Sequence, residues 1–495
     1  MKRNNRKVAA ISWQWLVAVV AAALIVFGLS LFLGKGQDVW FDEGYSILLA
    51  KQSVGTLVSL TGVDAHPPLY YLLLKAWGST FGWGELTLRT LSAVFAALGV
   101  AAMAALLRRL FTKRVALAAL PFLVISPFWL RYGYEIRMYA LAGLICIIGS
   151  IALLRAVEAK TNKRAWLLYA LIVALGMYTL YMTAVIWIAH VVWLLLRDRR
   201  RFWRQPWFLA YVGAFVLFLP YLPTLIFQET HSALPGIGQT LSLANIGGVL
   251  NMIMTYEPSW SAGALSAFGI LVVLGLTIYL LTKAYGQLHG QGRESLRYLL
   301  CLALTPILFF VIVSLPLVAH PFFIPRYLAH TVLFVYALVG VAVALGWRYG
   351  YRRLAAVLGV VTFVLLIAGV VQLKSTGNFN FEQDHAQKTS DVRPKIDCQK
   401  SAVVFDDAYV YINDVYYFDG CKLYFYSTYP LQYQGGYAWL AHHGNRLSSP
   451  NQLTAKSIAY VHMGQTTFHP DSRYHLVSSY TGVQQTVDTY ELTVR

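Results

Sequence analysis

The chain has 495 residues, 58% of them hydrophobic and only 13% charged, with a formal net charge of +18. Soluble globular chains hold about 25% charged residues, so an ordinary soluble domain is excluded. The charge does not mark a nucleic-acid binder either. The N-terminal tail and five short clusters near Arg108, Lys163, Arg200, Lys283 to Arg297 and Arg352 hold 23 of the 40 Lys and Arg but 3 of the 22 Asp and Glu, which is the positive-inside bias of a polytopic membrane protein.

Between those clusters, apolar runs predict eleven spans, at about 13–33, 88–107, 115–130, 138–154, 165–180, 182–196, 207–227, 263–281, 298–318, 327–347 and 354–373. The first is too long for a signal-peptide core and lacks a small-residue cleavage site, so it reads as a retained span. A single helix over 165–196 would be about 48 Å long against a core of about 30 Å. The basic residues on both sides, Lys163-Arg164 and Arg197 to Arg201, require an even number of crossings with a tight outer turn near Tyr178 to Tyr181. The N-terminus is then cytoplasmic. Residues 34–87, the Arg131–Arg137 loop, residues 228–262, the Pro316–Arg326 loop and the C-terminal region fall on the outer side of the cell membrane.

Within the first outer loop, Tyr45–Leu60 and Pro68–Phe81 show helical apolar spacing with Lys51 and Lys75 on the other face, which predicts helices lying along the interface. From Ser375 onward no run is long enough to span. Short strand-like runs at 402–405, 422–426 and 458–462 and near Tyr474 and Thr489, with a helix over Ala408–Phe418, predict a small extracytoplasmic α/β domain over 375–495. The fold class is thus an all-α polytopic domain over 1–374 followed by that α/β domain. Cys146 and Cys301 lie in apolar runs and read as packing residues. Cys398 and Cys421 lie outside, where an oxidising compartment allows them to form a disulfide.

The residues that could carry chemistry collect on the outer side. Asp42 and Glu43 are adjacent carboxylates just past the first span. Such a pair is costly near a bilayer unless it has a partner or a purpose; the plain alternative is a helix N-terminus, which favours acidic residues. His66-Pro67-Pro68 fixes an extended entry to a helix, and His66 could face the same cavity. Arg131 to Tyr139 holds Glu135 and Arg137 with Tyr134 and Tyr139. Arg89 begins the second span, and Arg326-Tyr327 the tenth. Each arginine alone reads as an interface anchor; together with two acidic motifs they suit an anionic ligand such as phosphate. No zinc-type spacing, phosphate loop or nucleophile elbow occurs. A divalent metal is the only cofactor left open.

In this order the motifs Phe41-Asp42-Glu43-Gly44-Tyr45, His66-Pro67-Pro68-Leu69-Tyr70-Tyr71, Leu88-Arg89-Thr90-Leu91-Ser92-Ala93 with Arg108-Arg109-Leu110-Phe111, and Glu135-Ile136-Arg137-Met138-Tyr139-Ala140 resemble the GT-C glycosyltransferases. More narrowly, they are similar to bacterial relatives of the dolichyl-phosphate-mannose protein mannosyltransferases and of the lipid A aminoarabinose transferases. The likeness is good over residues 38–150 and rests mainly on Arg326-Tyr327 beyond them. It implies a polyprenyl-phosphate sugar donor, a lipid, glycan or protein acceptor hydroxyl on the outer face, and inversion at the anomeric carbon. It makes Asp42 the base, with Glu43, Glu135 and the arginines binding acceptor or phosphate; some relatives have Asp where this chain has Glu135. The competing reading is a transporter or flippase whose acids relay protons. That reading requires internal repeats and broken midplane helices, and no repeat is present.

Overall fold

The structure, a computed structural model, describes residues 12–159, 162–198, 202–231, 242–256, 263–315, 324–376, 389–429, 431, 433–443, 445–464 and 468–493. The membrane part is built from helices. α1 (Trp13–Gly34) leads to three short helices, α2 (Phe41–Lys51), α3 (Val54–Thr61) and α4 (Leu69–Phe81). There follow α5 (Glu85–Leu110), α6 (Lys113–Val124), α7 (Pro127–Tyr134), α8 (Tyr139–Ala159), α9 (Lys163–Thr179), α10 (Ala184–Arg197), α11 (Pro206–Phe218), α12 (Leu222–His231), α13 (Leu243–Thr255), α14 (Ala264–Gln287), α15 (Gln291–Val313), α16 (Val332–Arg348) and α17 (Arg352–Thr376).

Among the described residues, seven helices are long and apolar enough to cross a membrane, α11 and α12 counting as one, and the bent pair α6–α7 can make an eighth. The chain is a multi-pass membrane protein. Three expected spans are shorter helices: α9, α10 and α16. The break near Tyr178–Tyr181 is present, with Leu180 extended and a 3-10 turn over Tyr181–Thr183. The expected straight span over 115–130 is not what forms. α6 and α7 meet at 64°, because Pro127 holds Ser126 extended and starts a new helix at its own position. α13 lies within the expected 228–262 loop, and parts of the 228–262 and Pro316–Arg326 loops fall outside the described residues.

Buried aromatic and polar side chains fix the long helices against one another. Trp129 of α7 is fully buried in a slot between α5 and α8, where a Cβ on Gly99 or Gly143 would stand 2.7 Å from its ring. Its indole N–H donates to the Ala96 carbonyl at 3.2 Å. Glycine at both positions lets the large ring lock α7, and the loop after it, to the two long helices. Deeper in the helices, His190 is satisfied within a polar network. Its ring nitrogens lie 3.0 Å from Ser150 Oγ and 2.8 Å from the Tyr169 hydroxyl.

The C-terminal domain has short helices α18 (Thr389–Val392) and α19 (Ala408–Asp414). Its strands are β1 (Ser401–Phe405), β2 (Lys422–Tyr426), β3 (Arg446–Leu447), β4 (Ser457–His462), β5 (Tyr474–Thr481) and β6 (Thr486–Leu492). The sheet order is β3-β2-β1-β4-β6-β5. β1 runs parallel to β2 and β4, and β6 antiparallel to β4 and β5. Central β1 and β4 are buried throughout. Val403 and Phe405 face one core and Ala402 and Val404 the other, the alternation a strand covered on both faces must show. Asp407 caps α19 by accepting from the Val410 N–H at 2.8 Å. Cys398 and Cys421 are joined by a disulfide, Cα–Cα 4.8 Å.

This domain is seated directly on α2. Phe41 stacks on Tyr409 with centroids 4.9 Å apart and planes 6° from parallel, and meets Tyr437 edge-on. The Val39 N–H donates to the Tyr417 hydroxyl at 2.6 Å. At Gly44 a Cβ would lie 2.5 Å from the Ile412 carbonyl oxygen, so only glycine lets α2 and α19 approach this closely.

Candidate active site

α2 begins at Phe41, which puts Asp42 and Glu43 in its first turn, where the helix N-terminus favours negative charge. Successive side chains on a helix point about 100° apart, and the two carboxylates go to different places.

Glu43 is fully buried. Its oxygens accept from Arg89 at 2.7 and 3.2 Å, from the Ile136 N–H at 2.9 Å and from the Trp40 N–H at 3.4 Å. Arg89, equally buried, also donates to Glu85 at 2.9 Å and to the carbonyls of Tyr134 and Gln37, each at 3.0 Å. Glu43 and Arg89 thus tie α2, α5 and the segment after α7 together. Their polar atoms are occupied by the protein, unlike those of a pair left open for a substrate.

Asp42 turns the other way and stays about one-fifth exposed. Its Oδ2 lies 3.5 Å from Arg326 and 3.7 Å from Arg137. Both distances are long for direct hydrogen bonds, so the carboxylate sits in a cationic field without being saturated by it. Burial works against its charge, but Arg137, Arg326, His66 and Arg131 outweigh it and hold the carboxyl below the ordinary aspartate range. Asp42 is therefore ionised at neutral pH.

Arg137 organises the floor. It donates to Ser46 Oγ at 3.2 Å and the Tyr71 hydroxyl at 3.1 Å, and lies 3.5 Å from His66 Nδ1. His66 Nδ1 is also 3.4 Å from Asp64. Burial and the Arg137 charge push the His66 pKa down, against Asp64 and Asp42, which favours a neutral ring. A neutral Nδ1 serves one of these two neighbours at a time. Asp64 also accepts from the Tyr71 hydroxyl at 3.5 Å.

Glu135 closes the other side. Its Oε1 accepts from the Trp40 indole N–H at 3.1 Å and Arg131 at 3.4 Å, while Oε2 is buried with no partner among the described residues. Burial, opposed by Arg131 and reinforced by Glu43 and Asp42, pushes its carboxyl above the ordinary range.

Of the residues singled out in the sequence, Asp42, His66, Glu135, Arg137, Tyr139 and Arg326 converge. Tyr134 lies beneath Arg131 and Arg89, 5.1 and 5.7 Å from its ring. Tyr327 stacks on Phe310. The sequence does not single out Trp40, Tyr45, Ser46, Asp64 or Tyr71, which the fold brings to the same place. Tyr71 is within reach as part of the His66 motif, whereas nothing local marks Asp64. The hydroxyls of Tyr45, Tyr134 and Tyr139, Arg137 Nε and Glu135 Oε2 are buried without hydrogen-bond partners among the described residues. So many orphaned polar atoms in one place suit a polar ligand that would satisfy them. Among the described residues no group of three or more His, Cys, Asp or Glu is placed to hold a metal ion. The groups facing Asp42 are guanidiniums and a histidine, a donor set suited to an anion and unsuited to a divalent cation.

Residues 65–227 match the family model "Dolichyl-phosphate-mannose-protein mannosyltransferase". The whole fold is similar to ArnT from Cupriavidus metallidurans bound to undecaprenyl phosphate, at 14% identity over 97% of this chain and 98% of that one, TM-score 0.64. The same protein in its apo state gives 15% identity, 96% and 98% coverage, and TM-score 0.66. An Archaeoglobus fulgidus oligosaccharyltransferase tethered to an acceptor peptide matches at 11% identity over 83% of this chain and 63% of that one, TM-score 0.53. No curated protein sequence matches the chain. The chain shares the GT-C fold of these structures.

Proposed function

We propose that this chain is a membrane glycosyltransferase that moves a sugar from a polyprenyl-phosphate donor to an acceptor hydroxyl, with Asp42 as the general base. The observation that carries the reading is the different fate of the acidic residues. Glu43 is saturated and Glu135 buried, while Asp42 is ionised, partly open, and flanked by Arg137 and Arg326.

In this reading the acceptor hydroxyl gives its proton to an Asp42 oxygen while its oxygen forms a bond to the anomeric carbon. The bond from that carbon to the donor phosphate oxygen breaks, and the electron pair leaves with the polyprenyl phosphate. Arg326 and Arg137 offset the negative charge that builds on the departing phosphate. One displacement inverts the anomeric centre. A donor with its tail in the bilayer meets such a site at the membrane surface. The distribution of the basic loops supports reading that surface as the extracytoplasmic side of the cytoplasmic membrane, with the N-terminus inside. Residues 1–374 then form the catalytic membrane unit. Residues 375–495 form an outer domain that braces α2 through Phe41 and Gly44.

The test is transfer of labelled sugar from a panel of polyprenyl-phosphate donors in reconstituted membranes. Arg326→Ala should weaken donor binding and slow release of the phosphate, together about 10²-fold in kcat/KM. Wild-type kinetics in Arg326→Ala would remove Arg326 from the site. Absence of transfer from every donor, with donor binding also absent, would overturn the functional reading.

A further inference from the structure

At the end of the helices remote from Asp42 lies a second cavity, of about 240 Å³, whose lining includes Arg109, Leu154, Trp193, Arg197, Ser295 and Tyr298. Arg89 at the catalytic loop and Arg109 at this cavity stand on one helix, α5, and bracket about 30 Å of it at 1.5 Å per residue, the thickness of a bilayer core. α8 makes the same traverse, from Tyr139 to Glu158. The cavity therefore opens at the opposite membrane face from the active site.

Its chemistry is one-sided. Arg109 donates to Glu158 at 2.6 Å through one terminal nitrogen, but its Nε is buried without an acceptor among the described residues. Glu294 is occupied by Arg297 at 2.7 Å. Arg197 has no carboxylate partner among the described residues and lies over the Trp193 ring, 5.1 Å from its centroid. Trp193 is 2% exposed, and its indole N–H is buried with no acceptor among the described residues. Indole nitrogen is only ever a donor, and leaving a buried donor unmet costs about 1–3 kcal/mol. Arginines that merely snorkel to an interface leave no such orphan behind them. Two donors without acceptors and a guanidinium without a carboxylate, among the described residues, around one cavity suit an acceptor-rich anion.

We propose that this cavity binds a phosphate bearing net negative charge, as carried by the headgroup of an anionic phospholipid of that leaflet. Basic pockets between transmembrane helices at the cytoplasmic side are suited to such headgroups. The Trp193 N–H and Arg109 Nε would donate to phosphate oxygens, and Arg197 would supply the charge. The site is separate from the one at Asp42 and does not rest on the proposed transfer reaction.

The experiment is thermal unfolding of the full-length, detergent-solubilised chain titrated with phosphatidylglycerol, with zwitterionic phosphatidylcholine, and with inorganic phosphate. Phosphatidylglycerol should stabilise saturably and phosphatidylcholine much less. Arg197→Gln, at an exposed position that does not threaten folding, should weaken the phosphatidylglycerol midpoint about fivefold. Trp193→Phe keeps a ring and loses only the N–H, and should weaken it by a similar factor. Saturable protection by inorganic phosphate that is lost in the same variants would support the site and assign it a soluble phosphate source. Equal protection by the two lipids, or a wild-type response in both variants, would overturn the proposal.

Discussion

Removing Arg89 separates a structural role for the Glu43–Arg89 pair from a substrate-binding one. Arg89→Ala leaves the buried Glu43 carboxyl without its guanidinium partner, with the Ile136 and Trp40 N–H groups as its remaining donors among the described residues. It also strips a donor from the carbonyls of Tyr134 and Gln37. Breaking one side of a buried ion pair costs about 3–5 kcal/mol. Chemical unfolding of the solubilised protein should register that loss. Adding Glu43→Gln to Arg89→Ala should recover part of it, because the stranded charge is gone, and a double-mutant cycle should give strong coupling. If Arg89→Ala keeps wild-type stability and loses only donor affinity, Arg89 is a ligand, as the motif resemblance implies.

Two further predictions concern the seating of the C-terminal domain. Gly44→Ala drives a Cβ into the Ile412 carbonyl; it should cost about 1–3 kcal/mol of stability and lower transfer by displacing α2, as read by unfolding and by the transfer assay. Burial, against donors from Thr389, Asn413 and Gln485, pushes the Asp414 pKa up to about 7. A carboxyl raised in the fold binds its proton more tightly there than in the unfolded chain, so its contribution to stability is complete at acid pH and declines as pH rises from the ordinary aspartate range through about 7, by at most about 4 kcal/mol. Asp414→Asn should flatten that dependence, and an unchanged pH profile in the variant would refute it.

Much of the scaffold is legible in the sequence because it is written in local periodicity. The long spans, the helix after Pro68 and five of the six strands follow from runs of apolar residues. The single helix expected over Tyr45–Leu60 starts earlier, at Phe41, and breaks at Gln52-Ser53 into α2 and α3, where Gln52 is extended and Ser53 caps the second helix. The bend at Pro127 is not legible, because apolar residues continue on both sides of it and hydropathy alone does not register the break. β3, two residues long, carries no period to read. At the site, the motifs locate Asp42, Glu135, Arg137 and Arg326 but give Asp42 and Glu43 a common purpose. Only the start of α2 at Phe41 turns one into the cavity and the other onto Arg89. Asp64 and the clamps of Phe41 on Tyr409 and Gly44 on Ile412 depend on pairings across the tertiary fold, the clamps joining residues more than 360 positions apart, for which a single sequence offers no signal.

The claim that Asp42 is the base is tested most directly by Asp42→Asn in the transfer assay, once a working donor is known. The substitution is nearly isosteric at a partly exposed position and should leave folding and donor binding intact, while the amide cannot accept the acceptor's proton. Transfer should fall about 10²–10⁴-fold. A variant that folds, binds donor and transfers sugar at the wild-type rate would contradict the account, and Glu135, another carboxyl of the cavity, would become the first group to test.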